Sequence, residues 1–139
     1  QGWQLARDTP IVGVHSTDTL AEQARRLGWH GRVALAIDAQ RGEFYLARFC
    51  VTADQVQPSA PLRLASRDEI LELATHGEMV ISPEPIPEGA NLRRLDPDAA
   101  VLAELASARK DPRPGNELEP VYLRETSFVK APPPRILEP

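Results

Sequence analysis

The chain has 139 residues, of which 42% are hydrophobic, 26% are charged and 5% are aromatic. These values are typical of one globular domain and exclude an intrinsically disordered or low-complexity chain. The formal net charge of −4 provides no basic footprint for a polyanion, so we do not expect this segment to hold nucleic acid alone. One cysteine, Cys50, excludes an internal disulfide, and no apolar run reaches the length of a membrane span. A cytoplasmic location is therefore expected.

The first predicted elements are a short strand and a helix. Residues 11–14 read Ile-Val-Gly-Val and predict the strand. Ser16 is predicted to cap a helix that runs to Gly28, because its hydroxyl can accept a hydrogen bond from the first helical turn. Apolar residues recur at helical spacing behind it and predict one buried face.

A β-hairpin is the most informative pattern in the chain. Residues 33–37 form an unbroken apolar run that stops at Asp38, and residues 44–49 form a second, largely apolar run. The lack of polar alternation predicts that the first strand is buried on both faces. Gly42 supplies the backbone freedom that the turn between the two strands needs.

A strand, a helix and another strand are predicted next. Residues 61–65 indicate a weaker strand that begins with proline. Ser66 and Glu69 have the spacing of a capping box, so they predict the start of a helix. Gly77 is predicted to end this helix in a left-handed conformation. Residues 79–82 then predict a strand, which Pro83 terminates.

The last predicted elements are a short strand at residues 91–95 and a helix. Asp96 is predicted to cap that helix, with Pro97 at its first position. The predicted order of strands and helices implies an α/β or α+β fold with a mixed sheet covered by helices. The buried face of the last helix is predicted to consist of Val101, Leu102, Leu105 and Ala106.

Three motifs in this order resemble one protein family. Residues 10–16 read Pro-Ile-Val-Gly-Val-His-Ser, and residues 36–45 read Ala-Ile-Asp-Ala-Gln-Arg-Gly-Glu-Phe-Tyr. Residues 120–124 read Pro-Val-Tyr-Leu-Arg. Together they resemble TsaB, also called YeaZ, the non-catalytic subunit of the bacterial tRNA threonylcarbamoyladenosine machinery. The resemblance covers residues 1–130.

The resemblance implies a fold and a division of the chain. It implies an α/β fold that is the ribonuclease H-like half of the actin-like ATPase superfamily. We expect a C-terminal fragment in which residues 1–29 are the remnant of an N-terminal actin-like half. Residues 30–128 are then the C-terminal ribonuclease H-like domain, and residues 129–139 are a flexible proline-rich tail.

The resemblance also predicts how the sheet is arranged. Residues 33–37 are expected to form the central strand, hydrogen-bonded to residues 44–49 on one side and to residues 79–82 on the other. Helices at residues 67–76 and 97–109 are expected to cover the sheet. A charge introduced into the central strand would then lie unpaired in the core.

Three carboxylates and two tyrosines are candidates for catalytic groups. Asp38 lies at the end of a buried strand, where functional carboxylates of this superfamily often lie, and Glu43 and Glu69 are the other two candidates. Asp at such a junction more often accepts bonds from nearby backbone N–H groups, and Glu69 is explained by the capping box. Tyr45 and Tyr122 are expected to be half-buried anchors. The sequence therefore predicts no catalytic residue.

Metal and cofactor sites are not predicted either. His15, His30 and His76 are scattered, without a pair at metal-binding spacing. Cys50 lies in an apolar strand without a flanking base and is expected to be an inert buried thiol. The sequence has no glycine-rich phosphate loop. We therefore expect no cofactor.

The leading functional hypothesis is a non-catalytic scaffold subunit of the complex that makes N6-threonylcarbamoyladenosine at tRNA position 37. Its expected partners are the catalytic paralogue and the ATPase that works with it, without direct tRNA binding by this segment or membrane contact. A homodimer is an option, since the strand at residues 11–14 is expected to pair with a second copy or to fold back. The alternatives are a glycoprotease-like hydrolase and a domain with unrelated partners. The candidate interface or family-motif residues are Trp3, Ser16, Asp38, Arg41, Glu43, Tyr45, Tyr122 and Arg124.

Overall fold

The computed structural model of the protein describes residues 6–7, 11–85, 91–109, 118, 120, 121 and 123. Strands and helices follow each other in the order helix, three strands, helix, two strands, helix. Their bounds are α1 (Ser16–Arg26), β1 (Gly31–Asp38), β2 (Glu43–Val51), β3 (Val56–Ser66), α2 (Arg67–Thr75), β4 (Met79–Ser82), β5 (Leu92–Arg94) and α3 (Ala99–Ala108).

The five strands form one mixed sheet in the order β3-β2-β1-β4-β5. β1 pairs antiparallel with β2 and parallel with β4, so it is the central strand, as predicted. β2 and β3 continue the antiparallel part, whereas β5 runs parallel to β4. The predicted α/β fold with a mixed sheet is confirmed.

The central strand is buried on both faces, which explains its apolar run. Val33 and Leu35 point towards α1, and Ala34 and Ala36 point towards α2, and all four are fully buried. The α1 face is completed by Leu20, Ala21, Ala24, Ala47, Phe49, Val51 and Ile81. The α2 face is completed by Leu46, Ala65, Ile70, Ala74 and Val80.

The helices that cover the sheet are α1 and α2. The prediction was correct for α2 but wrong for the last helix, because α3 packs chiefly against α1. Val101 is buried as predicted, whereas the side chain of Leu102 is 42% exposed and does not belong to a buried face. The domain boundary predicted after residue 29 stays a prediction, although α1 shares one core with the sheet.

The predicted N-caps of α1 and α3 were both wrong. The N-cap of α1 is His15, whose side chain makes no capping bond, and Ser16 is already the first helical residue. α3 begins after Asp98, whose carboxylate accepts a bond from the Ala100 N–H at 2.7 Å. The predicted cap, Asp96, lies two residues before that and precedes the helix.

A contact between α1 and the segment before α3, which are far apart in the sequence, explains why α3 starts later than predicted. The side-chain amide of Gln23 in α1 donates to the Asp96 carbonyl at 3.1 Å, and its oxygen accepts from the Asp98 N–H at 3.0 Å. Gln23 is largely buried, so these bonds satisfy an amide that would otherwise be costly to bury. They hold the segment before α3 in an extended form.

The sequence correctly predicted the start and the end of α2, with one exception in the capping box. The Ser66 hydroxyl accepts a bond from the Glu69 N–H at 3.2 Å, which is the predicted cap. The Glu69 carboxylate, however, pairs with Arg63 on β3 instead of completing the capping box. Gly77 has a φ of +85° and follows the helix, as predicted for a left-handed cap.

β3 is longer and more irregular than predicted. It spans Val56–Ser66 instead of residues 61–65, and its register with β2 shifts twice between Arg63 and Pro58. The unpaired positions are Ser59 and the dipeptide of Pro61 and Leu62. An edge strand tolerates proline and bulges, because one of its sides makes no ladder bonds.

Two smaller predictions were also wrong. Cys50 on β2 is exposed. It pairs with Arg32 on β1 and Gln57 on β3, which are exposed as well, so this end of the sheet lies beyond the part that the helices cover. Of residues 11–14, only Ile11 makes a strand-type bridge, and the next three residues are irregular. The strand predicted at residues 11–14 is therefore present only as a single bridge residue.

Candidate functional site

A cleft of about 720 Å³ opens at one end of the sheet, next to the N-terminus of α1. Its floor comes from Ile37, Tyr45 and Leu62 on three adjacent strands, which present apolar and aromatic surface. The first turn of α1 and the segment before it form one wall. The other residues that line the cleft are Val12, Gly13, Val14, His15, Ser16, Thr17, Arg109, Leu118, Pro120 and Val121.

Arg109 holds the wall of the cleft in place. One terminal nitrogen of its guanidinium donates to the Gly13 carbonyl at 2.6 Å, and the other pairs with the Asp18 carboxylate at 2.9 Å. Gly13 fits closely here, because a β-carbon at this position would lie 3.0 Å from a methyl group of the Leu118 side chain, which would have to shift by a few tenths of an ångström. The segment before α1 is thus fixed by residues from the other end of the chain.

The hairpin turn between β1 and β2 lies at the same end of the sheet. The Asp38 carboxylate accepts a bond from the Gln40 N–H at 2.8 Å, which is the structural role predicted for it. The backbone N–H of Asp38 donates to the Glu84 carboxylate at 3.3 Å, which also accepts from the Ser82 hydroxyl at 3.1 Å. These bonds connect the ends of the parallel strands β1 and β4.

Three consecutive residues of this turn have left-handed backbone conformations. Their φ angles are +65° at Gln40, +57° at Arg41 and +76° at Gly42. Such angles are uncommon for residues other than glycine, so the turn depends on the bonds around it. The side chain of Arg41 is exposed, and Glu43 is half-buried at the start of β2.

The structure brings together some of the predicted site residues. Ser16 and Tyr45 both line the cleft, and Tyr45 is half-buried, as expected of an anchor. Asp38, Arg41 and Glu43 lie in or beside the hairpin turn, outside the cleft lining. Three further candidates, Trp3, Tyr122 and Arg124, lie outside the described residues.

Arg109 and Leu62 belong to the cleft but were missed by the sequence analysis. Arg109 reaches Gly13 across 96 positions of the chain, and no local pattern indicates that contact. Leu62 is one of the unpaired residues in β3, where period-2 alternation is broken. Ile37, by contrast, could have been found, because it ends the buried run that the sequence displays.

Carboxylates near the helices are kept ionised by arginine partners. Hydrogen bonding to Arg25 lowers the pKa of Glu22 to about 2, with a smaller contribution from Arg26, although burial acts in the opposite direction. In the same way, the hydrogen bond from Arg63 lowers the pKa of Glu69. Carboxylates held in ion pairs are poorly suited to accept a proton near neutral pH.

The described residues contain neither a metal-ligand cluster nor a helix that could span a membrane. Among the described residues, no group of three His, Cys, Asp or Glu side chains could hold a metal ion. In that part of the chain, no helix is both long and apolar enough to cross a membrane.

Solved structures with the same architecture identify the fold. YeaZ from Pseudomonas aeruginosa superposes on 88% of this chain with a TM-score of 0.67 and 24% identity. The chain has the YeaZ fold. A second structure, an uncharacterised protein with similarity to peptidase YEAZ from the same organism, matches over the same share with a TM-score of 0.64 and 24% identity. The fold implied by the sequence motifs is thereby confirmed.

The match covers only part of the YeaZ structures. This chain spans 63% of the length of each of these two structures. No protein-family profile matches the sequence, and no curated protein does. The YeaZ resemblance therefore rests on the fold and on the three sequence motifs.

Proposed function

We propose that this chain is part of a non-catalytic scaffold subunit of the complex that makes N6-threonylcarbamoyladenosine at tRNA position 37. The YeaZ fold and the three motifs support this proposal. One observation carries it further: the guanidinium of Arg109, which lines the cleft, is already bonded to other residues of the chain. Arg109 is bound to Gly13 and Asp18, and in the nearby turn Asp38 is bound to Gln40.

These bonds favour a surface that binds over a centre that reacts. A catalytic acid, base or electrophile must be able to reach the reacting atoms of a substrate. Asp38 and Arg109 instead use their polar atoms to fix the backbone around the cleft. What the cleft presents is a firm, largely apolar floor with Tyr45, a residue type favoured at protein interfaces.

The proposed partners are the catalytic paralogue of the complex and its ATPase, in the cytoplasm. This chain would hold no cofactor, and tRNA would be bound by the assembly and not by this segment. An acidic chain has no counterion-release advantage on a polyanion, which supports this division of roles.

The test is complementation of an extract depleted of its YeaZ protein. A protein that carries this chain together with the remaining YeaZ region should restore threonylcarbamoyladenosine, measured in digested tRNA by mass spectrometry. Tyr45→Lys should reduce this activity and the affinity for the paralogue, because it puts a charge on the cleft floor. Leu102→Lys, at an exposed position on α3, is the matched control and should change neither.

The chain tested alone is expected to bind the paralogue weakly or not at all. Restoration of synthesis by the chain alone would contradict that expectation, and failure of the longer protein would contradict the scaffold proposal itself. The alternative, a glycoprotease-like hydrolase, draws on the word peptidase in the name of one structural neighbour. A low-micromolar site for ATP or a divalent metal, measured by calorimetry on this chain, would favour that alternative.

A further inference from the structure

The two edges of the sheet differ in their capacity to accept another strand. At one edge, β3 is interrupted twice, at Ser59 and at the dipeptide of Pro61 and Leu62. Pro58 and Pro61 have no N–H to offer. Proline and bulges at an edge prevent strand addition, because they remove donors and twist the backbone away. This edge is therefore blocked.

The opposite edge, formed by β5, is regular. The Val80 N–H donates to the Asn91 carbonyl at 2.8 Å, and the Leu95 N–H donates to the Ser82 carbonyl at 3.0 Å. Backbone groups alternate in direction along a strand, so the N–H and C=O groups of Leu92 and Arg94 point away from β4. Within the described part of the chain, no strand pairs with that outer side.

β5 is held in its extended form at both ends. The Asn91 side-chain amide donates to the Ala74 carbonyl of α2 at 2.9 Å, just before the strand. Just after it, Gln23 of α1 donates to the Asp96 carbonyl at 3.1 Å. Because β5 is already extended, binding of a partner strand would not cost the conformational entropy of ordering β5.

The charge of this edge selects between possible partners. Arg93 and Arg94 project to opposite faces, and the Arg93 guanidinium lies 5.9 Å from the ring centre of Trp29. Arg94 lies 3.7 Å from the Asp96 carboxylate in a long ion pair, and the side chains of Arg94 and Asp96 are 66% and 70% exposed. Pairing of two copies through β5 would bring like charges together across the strands, which is unfavourable.

We propose that the outer edge of β5 docks an acidic extended segment of a partner protein. The segment would bond to the outward backbone groups of Leu92 and Arg94 as an added strand. Two adjacent carboxylates, which alternate to the two faces of the sheet, would meet Arg93 on one face and Arg94 on the other. This assignment goes beyond the proposed function and does not depend on it, since it uses only this edge.

The probe is an acetylated, amidated and fluorescently labelled peptide, Thr-Val-Glu-Glu-Val-Thr, with a peptide that has two lysines for the two glutamates as its control. Fluorescence polarisation should show binding of the acidic peptide only. Hydrogen exchange measured by NMR should show that the N–H groups of Leu92 and Arg94 become protected, because the carbonyls of the bound peptide accept hydrogen bonds from them. Arg94→Glu should weaken binding at least tenfold, whereas Arg67→Glu, which makes the same charge change at an exposed site on α2, should not.

A second pair of variants separates backbone from charge. Arg94→Ala removes the charge and keeps the outward N–H, whereas Arg94→Pro removes both without breaking the ladder to β4. The proline variant should bind about tenfold more weakly than the alanine variant, with an unchanged urea midpoint. Equal affinity of these two variants, binding of the lysine peptide, or no binding of the acidic peptide would overturn the proposal. Concentration-dependent protection of Leu92 without peptide would overturn it in favour of a second copy.

Discussion

The two faces of the sheet are held by their helices in different ways. On the α1 face, the polar bonds that connect α1 with α3 and the segments beside them join residues far apart in the chain, whereas the ion pairs of Glu22 with Arg25 and Arg26 are local. Gln23 reaches Asp96 and Asp98 across 73 and 75 positions, and Arg109 reaches Gly13 across 96. This face is complete only when both ends of the described chain have come together.

On the α2 face, most of the polar bonds are local. Ser66 binds Glu69 three positions away, and Arg63 binds the same glutamate across six. There are two exceptions. The Asn91 amide donates to the Ala74 carbonyl across 17 positions, and Arg48 Nε lies 3.1 Å from a carboxylate oxygen of Glu78, whose side chain is almost fully buried. Because local contacts form with less loop-closure entropy, we expect the α2 face to form before the α1 face during folding.

Val33→Asp should have the largest effect, because β1 is shared by both faces. Val33 is fully buried, so the variant places an unpaired carboxylate between β1 and α1. We expect a loss of several kcal/mol in the free energy of unfolding, measured by urea denaturation. Leu102→Asp, the same kind of change at a 42% exposed site, should cost less than about 1 kcal/mol. Similar losses in the two variants would mean that β1 is not central.

Arg48→Met tests the buried pair on the α2 face. It leaves the Glu78 carboxylate, whose side chain is 5% exposed, without its partner, and should cost about 2–4 kcal/mol. Glu78→Gln should cost less, because Arg48 is 33% exposed and can turn to water. Unfolding free energies of the two variants provide the comparison, and a larger loss for Glu78→Gln would contradict this assignment. Arg67→Met is the control for arginine loss at an exposed site.

Gln23→Glu tests the long-range bonds of the α1 face. The carboxylate keeps the acceptor for the Asp98 N–H but loses the donor to the Asp96 carbonyl and repels it instead. We expect a loss of about 1–3 kcal/mol, with faster hydrogen exchange at the start of α3. Gln57→Glu, at an exposed position of β3, should change little. An unchanged stability of the Gln23 variant would show that the α1 face does not depend on this amide.

Thr19→Val should stabilise the same face. The Thr19 hydroxyl is buried and, within the described residues, has no hydrogen-bond partner. Valine has nearly the same shape without the polar atom, so we expect a gain of about 1 kcal/mol in unfolding free energy. Thr17→Val, on the first turn of the same helix but lining the open cleft, is the control. A loss of stability in the Thr19 variant would mean that the hydroxyl does find a partner.

The smallest predicted effect is the pH dependence from Glu22. Its pKa is about 2 in the folded chain, below the ordinary value of 4.5, because Arg25 and Arg26 bind the carboxylate. The stabilisation is therefore fully present above about pH 4.5 and is lost as the pH falls towards 2. Glu22→Gln should cost about 1 kcal/mol at pH 7 and almost nothing near pH 2. A difference that does not change with pH would exclude this origin.

The comparison of the faces explains how far the sequence could predict the fold. The buried run in β1, the cap at Ser66 and the stop at Gly77 were correctly predicted, because each signal lies within a few residues of the structure it determines. The start of α3 was wrong because Gln23, on another helix, determines the backbone there.

The candidate site was predicted only in part, for a similar physical reason. Tyr45 could be found because it follows the hairpin motif, and the structure places it in the cleft. Arg109 could not, because its role depends on a carbonyl at Gly13 that no pattern connects with it. Sequence periodicity reports burial within one element, whereas a cleft is formed by several.

The hairpin turn has a consequence for chemical synthesis of this protein. Gln40 and Arg41 adopt backbone angles that L-amino acids disfavour and that their mirror images prefer. A synthetic chain with D-glutamine and D-arginine at these two positions would therefore keep the turn without its strain. In this one loop, a change of chirality would leave the fold intact and reinforce it.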